Sequence, residues 1–213
     1  PMVAPKPLFA HYPWQKIPLP HVPSDDLADI PPEGLAGTRN DRNPIGKHPD
    51  NQKRMWSGYY ASVEFMDTQV GRILNELDRL GLRESTAVVF TSDHGYHLGE
   101  HTFWQKGNLH EEVTRVPLIL STPGIQPGKS SSIVELMDIF PTLADLAGLA
   151  IPKDVQGKSL RPVLDDPNAT IKDGALSFVG RGISIRIPGW HYARYNDKAE
   201  ELYDMRADPQ QFT

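Results

Sequence analysis

An apolar stripe between Met55 and Leu80 constrains the fold more than any other feature of this 213-residue chain. Large apolar residues recur there at every third or fourth position, which is the period of a helix that buries one face. Gly81 ends the pattern, and the segment "TAVVF" at 86–90 has the composition of a strand buried on both faces. A helix followed by a buried strand predicts an α/β fold.

The composition and the apolar pattern of the sequence change near residues 54 and 150, which predicts three regions. Residues 1–54 contain eleven of the twenty prolines together with large apolar groups, so we expect an irregular but ordered segment packed on the core. Residues 55–150 continue the α/β pattern. Residues 151–213 contain short β-like pieces separated by turns, which predicts a small C-terminal α+β subdomain with an antiparallel sheet.

Further elements are predicted within the central region. The segment "RVPLIL" at 115–120 is typical of a strand, and a shorter strand is predicted to include Ile133 and Val134. The segment "MDIFPTLADLAGL" at 137–149 predicts a helix that Asp138 caps.

Composition excludes several classes of function. The net charge is −5 and the 22 Lys and Arg residues are scattered, so we expect no nucleic-acid partner. No apolar stretch approaches the roughly 20 residues of a membrane span, so we expect no membrane partner. The chain has no cysteine, which excludes disulfides, cysteine-ligated zinc and a thiol nucleophile within it.

The stretch "TSDHGYHLGEH" at 91–101 is dense in ionisable residues and begins where the predicted strand ends. Ligands of open α/β sheets collect beyond the carboxyl ends of strands, so Asp93 and His94 are candidate metal ligands. The alternative is a polar turn in which Asp93 caps the next segment. The density of further ionisable groups favours a site, because burying such a cluster without a ligand is costly.

His97 and His101 have the i, i+4 spacing of a zinc-binding pair on a helix. We discount that interpretation because Gly95 and Gly99 weaken a helix there. In addition, Leu98 stands where the zinc-protease pattern has a glutamate.

Downstream of these histidines, Lys106 is a fixed positive charge on a long stem, which suits a sulfate or phosphate oxygen. Glu111 and Glu112 are interpreted as a solvated helix face. His11, Trp14, His21, Arg39 and Arg42 are weaker candidates for sugar contacts.

Three segments carry a resemblance to a known family: "GYYASVEFMDTQVGRILNELDRLGL", "TAVVFTSDHGYHLGEHTFWQKGNLHEEVTRVPLIL" and "ELMDIFPTLADLAGL". With "ELYDMRADP" near the end, they make the chain resemble the sulfatases of the alkaline phosphatase superfamily, especially bacterial enzymes similar to iduronate-2-sulfatase. The resemblance implies part of an alkaline-phosphatase-like sandwich, with a mixed sheet flanked by helices.

The resemblance also implies an activity, which is hydrolysis of sulfate esters by a formylglycine hydrate with a calcium ion at the sulfate. Asp93 and His94 match the late pair of metal ligands and Lys106 the sulfate-contacting lysine, with His97 and His101 as further substrate-binding residues. Manganese is the alternative metal, because calcium prefers oxygen ligands to an imidazole. The implied substrate is a sulfated saccharide, such as a 2-O-sulfated uronate of a glycosaminoglycan.

Two other functions stay open at the level of sequence. One is choline-sulfatase-like, phosphonate or phosphodiester hydrolysis within the same superfamily. The other is a catalytically dead carbohydrate-binding module.

The chain departs from the family pattern, because the Cys/Ser-x-Pro-x-Arg motif that yields formylglycine and the early aspartate pair are absent. We therefore expect the C-terminal half to two-thirds of a sulfatase, inactive and poorly soluble without its N-terminal half, which is the expected partner. The family resemblance implies a periplasmic or secreted location.

Overall fold

The computed structural model describes residues 2–35, 45, 48–196 and 199–213. The chain forms two compact units. The first consists of the residues up to Arg83, Gly95–Asn108 and Phe212, and the second of Glu84–His94, Leu109–Gln211 and Thr213. The predicted boundaries at residues 54 and 150 are not tested by this division and stay a prediction.

The central element of the first unit is helix α2, Pro49–Arg79. It confirms the predicted helix but begins earlier than predicted, at Pro49. The first turns are polar, so they lack the apolar period on which the prediction rests. Gly81 follows with a φ of 69°, a left-handed conformation that ends the helix without a Cβ penalty. Within the described residues, no helix is both long and apolar enough to cross a membrane.

Much of the apolar stripe on α2 is exposed. Only Ser57, Gly58 and Ala61 are buried, whereas Ile73 is 69% exposed and Val63 is 42% exposed. An apolar stripe normally faces a core, so its exposure in the described residues leaves a face that could pack against further protein.

The described part of the proline-rich N-terminal segment contacts the first half of α2, while the packing of residues 1–54 on the core stays a prediction. It contains the 3-10 turns Lys6–His11 and Trp14–Lys16 and a short helix α1, Pro32–Leu35. The Ser57 hydroxyl donates to the Tyr12 carbonyl at 2.7 Å, and the Arg54 guanidinium lies 4.1 Å from the centre of the Trp14 ring. Arg39 and Arg42, the weaker candidates for sugar contacts, lie outside the described residues.

A two-stranded antiparallel ribbon completes the first unit. Strands β2, His97–Leu98, and β3, Trp104–Gln105, flank the 3-10 turn Glu100–Thr102. The Trp56 indole N–H of α2 donates to the Leu98 carbonyl at 2.7 Å, which ties the ribbon to the helix.

In the second unit, β1 (Val88–Thr91) pairs antiparallel with β4 (Leu118–Ser121). The predicted strands exist, but β1 is half-buried to exposed rather than buried on both faces. The described residues contribute this antiparallel pair to the expected mixed sheet, and Ile133 and Val134 are in no strand. The short helix α3, Glu111–Thr114, precedes β4.

The predicted helix after residue 136 is present as the 3-10 turn Leu136–Asp138 followed by α4, Ile139–Leu146. Asp138 is buried, and its carboxylate accepts the backbone N–H groups of Glu135 and Lys158, each at 2.8 Å. It therefore caps the 3-10 turn and fixes a distant loop, rather than capping α4 as predicted.

The C-terminal part is the predicted antiparallel sheet. After the short helix α5, Arg161–Asp165, four strands form a meander in sequence order. They are β5 (Ala175–Val179), β6 (Gly182–Ile187), β7 (Trp190–Tyr195) and β8 (Ala199–Asp204). Leu109 forms a buried apolar cluster with Ala193 and Tyr195 of β7.

Candidate active-site segments

The turn that follows β1 carries Asp93 and His94, in the second unit. The His94 backbone N–H donates to Asp93 Oδ1 at 3.1 Å, and the Ser92 hydroxyl donates to the His94 carbonyl at 2.9 Å. The Asp93 side chain is 85% exposed and the His94 side chain 33% exposed. The predicted position at the carboxyl end of a strand is confirmed, and the local bonds are those of a polar turn.

The two side chains of this turn converge. His94 Nε2 lies 3.5 Å from Asp93 Oδ2. Two ligands of one divalent ion can lie at most about 4 to 5 Å apart, which is twice an ordinary metal–ligand distance. The pair therefore fits two positions of one coordination shell. Among the described residues, no group of three or more His, Cys, Asp or Glu could hold a metal, so the pair does not form a complete site.

A strained loop from Gly99 to Gly107 lies in the first unit. His101, Thr102 and Gln105 have φ values of 55°, 59° and 76°, and the two terminal glycines have φ values of 115° and 125°. A left-handed residue other than glycine costs about 1 to 3 kcal/mol and persists only where its surroundings hold it. Such strain is typical of functional segments, and Lys106 lies at the exposed end of this loop.

The base of the loop is closed by a buried polar contact. His97, at the start of β2, and Asn108, just after the loop, are both buried. His97 Nε2 lies 2.9 Å from Asn108 Nδ2 and 3.1 Å from Asn108 Oδ1. The neighbouring Tyr96 packs near Tyr59 of α2, and burial raises the pKa of its hydroxyl.

The middle of the loop is held by a longer-range contact. His101 Nδ1 donates to the carboxylate of Asp26, with distances of 3.0 and 3.2 Å to the two oxygens. Both side chains are essentially inaccessible to solvent. The His101 ring also packs against Phe103 and Phe212, with centroid separations of 5.6 and 5.3 Å.

The structure thus separates the predicted site residues into three settings. Asp93 and His94 come together in an exposed turn, and Lys106 is exposed on the strained loop. His97 and His101 are fully buried and bond to Asn108 and Asp26. Their substrate contact therefore stays a prediction, while the helical zinc pair that we discounted is absent, since His97 lies in β2 and His101 in a 3-10 turn.

Sequence reasoning missed Asp26 and Asn108. Asp26 lies 75 positions before His101 in a segment without periodic pattern, so no local signal joins them. The interpretation of Glu111 as solvated was also wrong, because its carboxylate pairs with Arg186 at 2.8 Å and is largely buried.

A second buried polar cluster lies in the second unit, beneath β7 and β8. His110 Nε2 lies 3.2 Å from the Glu201 carboxylate, which also accepts the Tyr203 hydroxyl at 3.2 Å. The Gln211 side chain accepts the Glu111 N–H at 2.8 Å, so its amide nitrogen donates to His191 Nδ1 at 2.7 Å. His191 is therefore neutral, with Nδ1 unprotonated.

Burial of His191, together with the nearby charges of His110 and Arg186, lowers its pKa from 6.5 to about 4. Burial and the nearby Glu201 carboxylate raise the pKa of Tyr195.

Two family models together match residues 25 to 213. The sulfatase model matches residues 25–149, which include the turn and the strained loop, and the model of the C-terminal part of N-sulphoglucosamine sulphohydrolase matches residues 99–213. The α/β architecture with small antiparallel sheets is that of alkaline-phosphatase-like sulfatases. The chain belongs to the sulfatase family.

Curated relatives agree with this assignment. A sulfatase of Formosa agariphila is 34% identical over the whole chain, which spans 43% of that protein. An N-acetylglucosamine-6-O-sulfatase of Bacteroides thetaiotaomicron is 38% identical over 72% of the chain, which spans 30% of that protein. Human iduronate 2-sulfatase is 42% identical over 51% of the chain and 25% of its own length. The chain thus spans less than half the length of these relatives.

Solved structures of sulfatases and of a related phosphonate hydrolase have a similar fold. A protein solved with its substrate D-glucosamine-2-N,6-O-disulfate is 35% identical, with a TM-score of 0.72 over 78% of this chain and 37% of its own. A 2-O GAG sulfatase is 26% identical, with a TM-score of 0.76 over 93% and 48%. The phosphonate monoester hydrolase of Agrobacterium radiobacter is 27% identical, with a TM-score of 0.69 over 78% and 38%.

Proposed function

We propose that the complete protein hydrolyses sulfate esters of a sugar and that this chain supplies part of its metal site and one sulfate contact. The observation that carries the proposal is the convergence of Asp93 and His94, with ligand atoms 3.5 Å apart in an exposed turn, inside the segment matched by the sulfatase model. A polar turn that served only as a cap would not need both side chains to approach each other and face solvent.

Sulfatases generally use a formylglycine and a divalent metal. In this chain Asp93 and His94 would hold the metal, which we propose to be calcium, with manganese as the alternative. The ion would supply positive charge where the sulfate oxygens bind. The chain contains no cysteine and no Ser-x-Pro-x-Arg segment, so the residue that becomes formylglycine is proposed to lie in an N-terminal part of the complete protein.

Lys106 is proposed to donate to a sulfate oxygen. Lys106 is exposed on the strained loop, and a donor to developing negative charge is most effective when it is held in place before the reaction. The family pattern gives Asp93, His94 and Lys106 roles in one reaction. His97 and His101, which were predicted to bind substrate, are better placed to hold this loop.

The substrate is proposed to be a sulfated saccharide, specifically a 2-O-sulfated uronate of a glycosaminoglycan. The names of the relatives support a sugar, since they include an iduronate 2-sulfatase, an N-acetylglucosamine-6-O-sulfatase and a 2-O GAG sulfatase. A periplasmic or secreted location is proposed with it.

The test is sulfate release by the complete protein, co-expressed with a formylglycine-generating enzyme. The substrates are a chromogenic aryl sulfate and a disaccharide with a 2-O-sulfated uronate. Lys106→Ala is expected to lower kcat about 100- to 1,000-fold, as loss of one oxyanion donor does. Lys153→Ala, an exposed lysine outside the candidate segments, is the matched control and should be neutral.

A second candidate is hydrolysis of a phosphonate or phosphate diester, favoured by the likeness to the phosphonate monoester hydrolase. Absence of sulfate release, with turnover of a phenylphosphonate ester instead, would replace the first proposal with this one.

A further inference from the structure

The loop that carries Lys106 is costly to form and needs support. Three of its residues other than glycine have positive φ. The Gly99 N–H donates to the Phe103 carbonyl at 2.9 Å, the Thr102 N–H donates to the Gly99 carbonyl at 3.0 Å, and the Phe103 N–H donates to the Glu100 carbonyl at 2.8 Å. These bonds join residues at most four positions apart, so they shape the turn without linking it to distant parts of the chain.

The contact between His101 and Asp26 links the middle of the loop to a distant segment of the chain. His101 is one of the strained residues, and its ring nitrogen bonds to a carboxylate that is 75 positions away in the sequence. Burying a carboxylate is expensive unless it is paired and hydrogen-bonded, and the His101 ring supplies a hydrogen bond to the buried Asp26 carboxylate. The buried ring of Phe103 and the half-buried ring of Phe212 pack against His101 and restrict it further.

The His97–Asn108 contact supports the loop at its two ends. It fixes the two ends of the segment, while the Asp26 carboxylate fixes its middle. Lys106 lies between the His101 anchor and the Asn108 anchor, so its backbone has little freedom to shift.

We propose that Asp26 and His101 are positioning residues, which act on catalysis only through Lys106. The inference rests on the proposed function of Lys106. A misplacement of a catalytic group by about 1 Å can cost about 100-fold in rate. Asp26→Asn is therefore expected to lower kcat about 10- to 100-fold, less than the loss in Lys106→Ala.

A double-mutant cycle in the complete protein separates positioning from general destabilisation. If Asp26 acts through Lys106, adding Asp26→Asn to Lys106→Ala should change kcat by no more than about 3-fold. If Asp26 only supports the fold, the two losses should multiply, and the proposal fails. Asp25→Asn is the matched control, because Asp25 is the exposed neighbour of the same type.

A second pair of variants keeps the proposal testable if Asp26→Asn does not fold. Asn adopts the left-handed conformation readily and can donate an N–H to Asp26, so His101→Asn should keep most of the turnover. His101→Ala lacks that donor and should lose about as much as Asp26→Asn. Equal losses in both His101 variants would contradict the proposal.

Hydrogen exchange of amides 99–107 separates failure of this inference from failure of the proposed function. Faster exchange is expected in Asp26→Asn and His101→Ala, and unchanged exchange in Asp25→Asn. If the unmodified complete protein releases no sulfate, the proposed function fails, and exchange alone decides whether the pair holds the loop. Equal exchange in all proteins would overturn the inference.

Discussion

The Asp93–His94 turn and the loop from Gly99 to Gly107 are held in opposite ways. The turn is exposed and makes short-range hydrogen bonds, whereas the loop is strained and its histidine bonds to a buried carboxylate far away in sequence. A metal ligand can be oriented by the ion that it binds, since binding itself contributes to order. Lys106 is not proposed to bind the ion, so we expect its position to come from the loop that carries it.

The largest expected effect tests the exposed turn. Asp93→Ala in the complete protein removes one of the two proposed metal ligands, and a divalent ion held there would supply several kcal/mol of charge stabilisation. Sulfate release should fall about 1,000-fold or more, with loss of bound divalent metal in elemental analysis. Asp154→Ala, in another exposed turn, should retain both. Full metal content in Asp93→Ala would show that the turn binds no ion.

The buried polar cluster around His191 of β7 and Glu201 of β8 makes the stability of the protein depend on pH. Because the pKa of His191 falls from 6.5 to about 4 on folding, the unfolded chain takes up a proton at a higher pH than the folded chain does. This residue therefore lowers the free energy of unfolding by about 3 kcal/mol as the pH falls from about 6.5 to about 4.

His191→Asn removes this titration and keeps an acceptor for the Gln211 amide. The measurement is the free energy of unfolding of the complete protein in urea at pH 7 and at pH 4. The decrease between the two pH values should be about 3 kcal/mol smaller in the variant. His110, Arg186 and Glu201 face the same cluster and are unchanged in both proteins. An identical pH dependence in the two proteins would contradict the assignment to His191.

The smallest effect tests loop strain directly. Gly107 has a φ of 125°, and no atom lies within 4 Å of an added Cβ, so Gly107→Ala changes backbone energy alone. We expect a loss of about 1 to 3 kcal/mol in the free energy of unfolding. Gly71→Ala, in α2 with equal space and ordinary helical φ, should gain about 0.5 to 1 kcal/mol. An unchanged or higher free energy of unfolding in Gly107→Ala would show that the loop is not strained at this position.

Local patterns in the sequence predict the elements that local physics determines. The apolar period predicts α2, and the short alternating pieces predict the C-terminal sheet. The position of Asp93 and His94 follows from the end of β1. The start of α2 at Pro49 is missed because its first turns contain no apolar residue that would mark a buried face.

The support of the loop could not be predicted in the same way. The pairing of Asp26 with His101 depends on the path of a proline-rich segment that has no period. Positive φ is anticipated at glycines, but not at His101, Thr102 and Gln105, where it carries a local cost. At His101 the bond to the distant Asp26 carboxylate accompanies it, and no local pattern signals that bond. The antiparallel pairing of β1 with β4 is likewise a long-range choice, since the two strand sequences do not encode direction.

The most direct test of the account measures bound metal and sulfate release on the same preparation of Lys106→Ala in the complete protein. We expect Lys106→Ala to bind as much metal as the unmodified protein and to release sulfate about 100- to 1,000-fold more slowly. Unchanged sulfate release would contradict it, because Lys106 would then have no part in the reaction for which its loop is held.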